Sequence, residues 1–263
     1  MTAYPLVVAD SATMLRRNLR RMRRYPSLTL FVAGLPVVLL LLFVYVFGGT
    51  LGAGLGQVAE GRAAYVAYVI PGILLMTVVG AAQGTAISVA MDMHEGIIAR
   101  FRTMDIARVS VLTGHVLGSV IQTGLAIAIV IVVAVLIGFR STTGLTDWVA
   151  AMGLLALIAL AISWLSVALG MAANSVETAS NTPMVLILLL FLSSGFVPTD
   201  SMPGPLAWFA RYQPFTSVIE TLRGLLLGTP IGTDGLVAVA WCVGISVAGY
   251  LWARRLYDRE RAA

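Results

Sequence analysis

The sequence predicts an all-α integral membrane protein: six transmembrane helices, an N-terminal interfacial amphipathic helix, a second amphipathic helix between spans two and three, and short outer helices between spans five and six. Three observations predict it. Hydrophobic residues fill 59% of the 263 positions and charged residues only 11%, far from the balance of a soluble domain. Apolar stretches recur near 28–48, 64–90, 110–139, 148–173, 184–199 and 235–253, most of them long enough for a hydrocarbon core about 30 Å thick. The arginines between and around these stretches fall mainly on one side.

The tail before span one, SATMLRRNLRRMRRYPS over residues 11–27, holds Arg16, Arg17, Arg20, Arg21, Arg23 and Arg24. On a helix, Leu15, Leu19 and Met22 fall on one side and the arginines over much of the rest. That pattern suits a helix lying in the membrane interface and stopped by Pro26, and equally a basic tail that serves only to set topology. The apolar run that follows is too long for a signal-peptide core and has no clear small-x-small cleavage site.

Counted over the six-span layout, 13 arginines share the side of the tail, among them Arg100, Arg102, Arg108, Arg254, Arg255, Arg259 and Arg261. The other side has four, Arg62, Arg140, Arg211 and Arg223. Moving one charge against 100 mV costs about 2.3 kcal/mol, so six tail arginines alone oppose translocation by roughly 14 kcal/mol. Both termini are therefore expected in the cytoplasm, with Trp148 and Trp208 at the outer interface and Trp252 at the inner one.

Spans two and three are the longest. Between them runs DMHEGIIARFRTMDIAR, from Asp92 to Arg108. Met93, Ile97, Phe101 and Met104 recur at helical spacing and form one apolar stripe, with Asp92, Glu95, Arg100 and Arg102 mostly off it. A helix is expected over 92–104. Its residues alone leave two roles open, a solvated loop or a docking surface for a cytosolic partner.

Span five, 184–199, is short for a crossing, and the region that follows it, 200–230, is half apolar. Pro198, Pro203, Pro205 and Pro214 cut it into pieces, and Ser217 with Glu220 forms a capping-box pattern ahead of Val218, Ile219, Leu222, Leu225 and Leu226. Gly228 and Pro230 end that helix. Such pieces are too short to span and are expected to dip into the outer leaflet or cap a pathway, with Glu220 and Arg223 paired at i, i+3.

Several chemistries are excluded by what the chain lacks. All 17 basic residues are arginine, so no Walker A lysine exists here to hold ATP phosphates. One cysteine, Cys242, and two histidines, His94 and His115, make neither a metal cluster nor an HExxH motif. No G-x-S-x-G is present, and the serines of FLSSGF are better read as satisfying helix backbone. Polar residues inside spans are few: Gln83, Thr85 and Ser88, then Gln122, then Ser193 and Ser194. No acidic residue sits clearly at mid-membrane, which disfavours a proton- or sodium-coupled carrier.

Two stretches carry a family resemblance. HEGIIARFRTMDIARVSVLTGHVLG is similar to the cytoplasmic segment of the type-2 permeases of ATP-binding-cassette exporters, through Glu95, Gly96, Arg100, Arg108 and Gly114. SSGFVPTDSMPGPLAWFARYQPFTSVIETLRGLLLG resembles the same family's outer loop through Gly195, Pro198, Met202, Pro203, Pro214, Glu220, Arg223, Gly224 and Gly228, and most resembles the daunorubicin-resistance permease group. The chain departs from the family at Asp105, where a proline is frequent.

The resemblance implies a single permease domain over 1–263 in a bacterial inner membrane. It implies a second permease copy or paralogue and separate ABC ATPase subunits, so this chain needs no cofactor of its own: ATP and Mg belong to the ATPases. It makes 92–104 the coupling helix, with Glu95, Gly96, Ile97, Arg100, Phe101 and Arg102 in the ATPase contact, and makes 11–27 the connecting helix beside it. Pro203, Pro214, Glu220 and Arg223 would organise re-entrant outer helices over 200–230. Thr77, Gln83, Phe191 and Ser194 would line the pathway, since spans two and five meet the partner subunit in similar proteins. The expected cargo is lipophilic or amphiphilic, a drug, antibiotic or lipid, moved outward within surrounding lipid, and nucleic acid has no place. A membrane scaffold or small channel uncoupled from ATP is the alternative.

Overall fold

The structure, a computed structural model, describes residues 4–24, 26–48, 61–96 and 108–259, and its regular elements among them are all helical. Helix α1 (Tyr4–Arg24) is followed by α2 (Pro26–Leu42), which a π-helical turn, Phe43–Phe47, prolongs. Pro26 stands first in α2, where its missing N–H breaks no intrahelical bond. Next come the long helices α3 (Gly61–His94), α4 (Arg108–Leu136) and α5 (Leu145–Ala172), then the short α6 (Val176–Asn181) and α7 (Met184–Phe191). Beyond a 3₁₀ turn at Thr199–Ser201 lie α8 (Gly204–Tyr212), α9 (Pro214–Leu227) and α10 (Asp234–Arg259).

Among the described residues, five helices are long and apolar enough to cross a membrane: Thr29–Phe47, Tyr65–His94, Leu112–Leu136, Leu145–Ala172 and Asp234–Asp258. They correspond to five of the six expected spans. The expected fifth, 184–199, is different: helix α7 ends at Phe191 and Pro183 separates it from α6. Proline cannot donate the hydrogen bond that would continue α6, and Ser175 starts that helix by accepting the Thr178 N–H at 3.1 Å.

The broken segment still runs beside α3. Near its start the Gln83 amide of α3 donates to the Ser180 carbonyl at 2.9 Å, and near its end the Tyr68 hydroxyl donates to the Ser194 carbonyl at 3.0 Å. Fifteen residues of α3 separate those contacts, about 22 Å of helix at 1.5 Å per residue. The segment therefore lies antiparallel to α3 over that length. Close approach makes this possible: a Cβ added to Gly72 would sit 2.8 Å from the Gly195 carbonyl oxygen.

Helix α3 is the centre of the fold. Tyr65, Val69, Ile73, Leu74, Val79 and Ala86 are buried against the other helices, and Ile158, Ile162, Val218 and Leu222 belong to the same interior. Helices α2 and α10 show the reverse pattern, with Phe31, Val38, Val46, Leu236, Val243 and Val247 exposed. An apolar exterior around a packed interior is what lipid, or another apolar subunit, accommodates.

A smaller apolar cluster joins Val89 of α3, Leu112 and Val116 of α4, Met171 of α5 and Ala253 and Tyr257 of α10. Helix α1 lies against α4 at the same end. The arginine-rich tail and the last turns of α10 thus gather at one end of the bundle, the end where α3 stops and α4 begins. The buried stripe of α1 differs from the expected one: Met14 is buried, Asn18 faces α4, and Leu15 and Leu19 are half-buried beside them. Helix–helix packing at Gly114, rather than apolar periodicity alone, selects that face.

Candidate functional site

The arginine-rich end brings together residues from three helices. In the last turn of α3, Asp92 is buried although it belongs to the charged side of the expected amphipathic helix. Its Oδ2 lies 3.1 Å from His115 Nε2 on α4 and 3.6 Å from an Arg17 guanidinium nitrogen on α1. Helix α1 is seated by close contact: a Cβ on Gly114 would lie 2.5 Å from Met14 Cβ, one on Gly118 would lie 3.0 Å from Asn18 Cβ, and Asn18 Nδ2 donates to the Gly114 carbonyl at 2.8 Å. A buried carboxylate with two partners on different helices holds those helices in register, and removing either partner leaves a costly charge.

The expected coupling stretch starts at this joint. Asp92, Met93 and His94 form the end of α3, and Glu95 and Gly96 make the turn that leaves it, with Gly96 at φ +69°. Only glycine adopts that left-handed conformation without strain. Met93 packs on the smaller apolar cluster, Glu95 is exposed, and Ile97, Arg100, Phe101 and Arg102 lie outside the described residues.

Next to the joint is a cavity of about 520 Å³ bordered by α1, α2, α3, α4 and Ser180 of α6. Gln83, named from the sequence as a pathway residue, lines it, as do Thr85, Ser88 and Gln122, the other polar residues expected inside spans two and three. The remaining pathway candidates lie elsewhere. Thr77 is fully buried, its hydroxyl donating to the Ile73 carbonyl at 2.9 Å. Phe191 is exposed at the end of α7, with its ring 4.9 Å from that of Phe196. Ser194 belongs to a polar knot at the opposite end.

That knot contains the outer-loop residues. Arg223 Nη1 donates to Glu220 Oε1 at 2.6 Å, and Nη2 donates to the Ser194 carbonyl at 2.9 Å. The guanidinium carbon sits 4.1 Å from the centre of the Tyr68 ring, and the Tyr68 hydroxyl shares the Ser194 carbonyl. Pro214 occupies the first turn of α9 and Pro203 precedes α8. The capping box expected from Ser217 and Glu220 is not formed: the helix begins three residues earlier, Ser217 donates to the Pro214 carbonyl at 3.0 Å, and Glu220 turns to Arg223. Gly228 ends the helix at φ +76°, its N–H reaching the Gly224 carbonyl at 2.8 Å. The two carbonyls just inside it are taken by Ser141 at 2.8 Å and Thr142 at 3.1 Å.

Asp92, His115, Arg17 and Asn18 escaped sequence reasoning as a group. One signal existed, an aspartate placed directly after a long apolar run. Its partners lie 23 and 75 residues away in the chain, and no spacing rule links them.

The chain matches the ABC-2 type transporter family over residues 11–227. It is 30% identical to the daunorubicin resistance ABC transporter permease protein DrrB1 of Streptomyces coeruleorubidus, an alignment covering 99% of this chain and 90% of that one. It is 25% identical to the probable doxorubicin resistance ABC transporter permease protein DrrC of Mycobacterium tuberculosis, over 89% of this chain and 84% of the relative. It is 27% identical to nodulation protein J of Rhizobium leguminosarum bv. trifolii, over 79% of each chain.

Proposed function

The chain belongs to the ABC-2 type transporter family, and from that premise we propose that it is the permease subunit of an exporter that moves a lipophilic or amphiphilic compound outward, driven by separate ATPase subunits. The observation that carries the proposal is the joint at Asp92. In the chain the stretch 97–107 connects α3 to α4, and those two helices are tied to each other and to α1 through Asp92, His115 and Arg17. A force applied to that stretch by a cytosolic ATPase reaches the core helix α3 directly, because Asp92 is part of its last turn. In this reading Glu95, Gly96, Ile97, Arg100, Phe101 and Arg102 contact the ATPase, and α1 is the connecting helix lying along the inner membrane interface.

The absence of any lysine in the sequence agrees with ATP being bound elsewhere, because a P-loop needs that side chain on the phosphates. The broken segment α6–α7 serves as the fifth crossing: it lies against α3 over about 22 Å, so one side of its interrupted backbone is covered by protein, where such breaks are tolerated. Six crossings keep both termini on one side, and in this reading the excess of arginine makes that side the cytoplasm of a bacterial inner membrane. The exposed apolar faces of α2 and α7 meet a second permease copy or a paralogue.

Co-expression with a cognate ABC ATPase, purification of the complex and measurement of ATP hydrolysis with and without amphiphilic compounds tests the proposal. A stable complex whose hydrolysis rises with cargo supports it. A permease that binds no ATPase, or transports without one, identifies a scaffold or channel instead.

A further inference from the structure

We infer that the cavity beside the Asp92 joint is a binding site for an uncharged amphiphile whose head carries several hydroxyl or carbonyl groups. The inference rests on the permease reading and names the class of cargo that the reading leaves open.

The cavity is built into the helices. Gly80 and Gly84 of α3 line it one turn apart, and a Cβ added to either would meet nothing within 4 Å. Glycine inside a helix is disfavoured relative to alanine, and at Gly72, Gly114 and Gly170 the cost is offset by contact with Gly195, Met14 and Ala86, whereas Gly80 and Gly84, like Gly34, Gly124, Gly153 and Gly244, are open. Gly80 and Gly84 have no such neighbour. What they provide is room, and the resulting volume of about 520 Å³ lies within the range of small-molecule sites.

The walls state what the room suits. The lining is mixed: Gln83, Thr85, Ser88, His115, Ser119 and Gln122 are polar, and Phe31, Val32, Ile87 and Met91 are apolar. The Gln83 amide nitrogen is engaged with Ser180, and Thr85 with Ser163 converge on the Ser119 hydroxyl at 2.7 and 2.9 Å. The Gln122 amide has no partner among the described residues and borders the cavity. Among the described residues no arginine and no carboxylate lines the space. The adjacent Asp92 already faces His115 and Arg17.

A phosphate or ammonium head would lose water here without an opposite charge to replace it. A plain hydrocarbon would leave amides and hydroxyls facing carbon. A neutral head rich in hydrogen-bonding groups, joined to an apolar body, suits this mixed lining. Met22 and Asn18 of α1 also border the cavity, so a bound molecule touches the helix that the Asp92 joint secures.

The test is photo-crosslinking of the full chain in phosphatidylcholine nanodiscs. Two diazirine lipids with identical acyl chains are compared at equal mole fraction, one with a glucosyl head and one with a phosphatidylglycerol head, and labelled peptides are located by mass spectrometry. The expected result is labelling of the α3 stretch 80–91 by the glucosyl probe at least fivefold above the anionic probe. Gly84→Leu, which fills the space, and Gln122→Leu, which removes the amide that has no other partner among the described residues, should each lower it about tenfold. Gly124→Leu, equally unobstructed but away from the cavity, should leave it unchanged.

Equal labelling by both probes, or labelling that survives both cavity variants, overturns the inference. So does loss of labelling only in step with loss of the dimer in Gly84→Leu, which would make this face a contact with a second copy. The assay contains no ATPase, so it separates the two claims. Cargo-stimulated hydrolysis without selective labelling removes the cargo class alone, and selective labelling without any ATPase partner removes the permease reading alone.

Discussion

Arg223 lies over the ring of Tyr68 at 4.1 Å while its Nη1 bonds Glu220 at 2.6 Å, so one side chain ties α9 to α3 and, through the Ser194 carbonyl, to the end of the broken segment after α7. The Arg223 side chain is only 11% exposed and that of Glu220 35%. Arg223→Ala should destabilise the protein by about 2 kcal/mol, below the full cost of breaking a buried pair because Glu220 keeps some water. Arg223→Lys should recover only part, since an ammonium has no planar fork to serve carboxylate, carbonyl and ring together. Thermal unfolding in detergent checks both. Equal melting temperatures for all three proteins would show the knot to be dispensable.

Gly114 admits α1 because it has no side chain. Gly114→Leu would overpack the contact with Met14 and should cost about 1–3 kcal/mol, releasing α1 from α4. Limited trypsin digestion should then cut the arginine-rich tail several times faster than in the parent. Gly153→Ala in α5, where a Cβ meets nothing within 4 Å, should be neutral or stabilise by up to about 1 kcal/mol.

Asp92→Ala leaves the neighbouring Arg17 and His115 without their shared acceptor and should cost about 1–3 kcal/mol. Asp92→Asn keeps an oxygen acceptor but loses the charge. In the assembled exporter, Asp92→Asn is expected to insert normally and bind the ATPase, yet show weaker stimulation of hydrolysis by cargo. Full stimulation in that variant would mean that the joint plays no part in transmission.

Phe101→Ala in the coupling stretch should weaken ATPase binding by about 2 kcal/mol, roughly thirtyfold, if its ring is a buried anchor. Glu95→Arg, on an exposed position, should give a smaller loss. Neither change touches a long helix, so membrane abundance should stay at the parental level. Co-purification of the ATPase at parental yield with both variants would return this stretch to a solvated loop.

Topology offers a simple check on the return of the chain between Ala172 and Asp234. A reporter that is active only in the cytoplasm should be active when fused after Ala263, and silent when inserted near Pro203. Activity near Pro203 with silence after Ala263 would mean that the broken segment does not cross, because α10 then carries the C-terminus outside.

The five long spans and the arginine-rich end were legible from the sequence alone, because hydropathy and charge accumulate along consecutive residues and need no knowledge of neighbours. The end of α9 was legible for a similar reason: Gly228 acts through its own backbone freedom. The Glu220–Arg223 pair is local too, set by helical spacing. Other features depended on packing. The expected fifth span became two short helices, since Pro183 removes a local bond, and the tertiary contacts of the Ser180 and Ser194 carbonyls hold the segment against α3. Asp92 reads as a solvated charge by periodicity, and only the arrival of α1 and α4 makes it a buried joint. Gly84 and Gly114 are the same residue type in similar apolar helices, yet one opens a cavity and the other seats a helix. That difference is set by which element lies opposite, a relation between distant segments that helix packing creates and the order of residues does not contain.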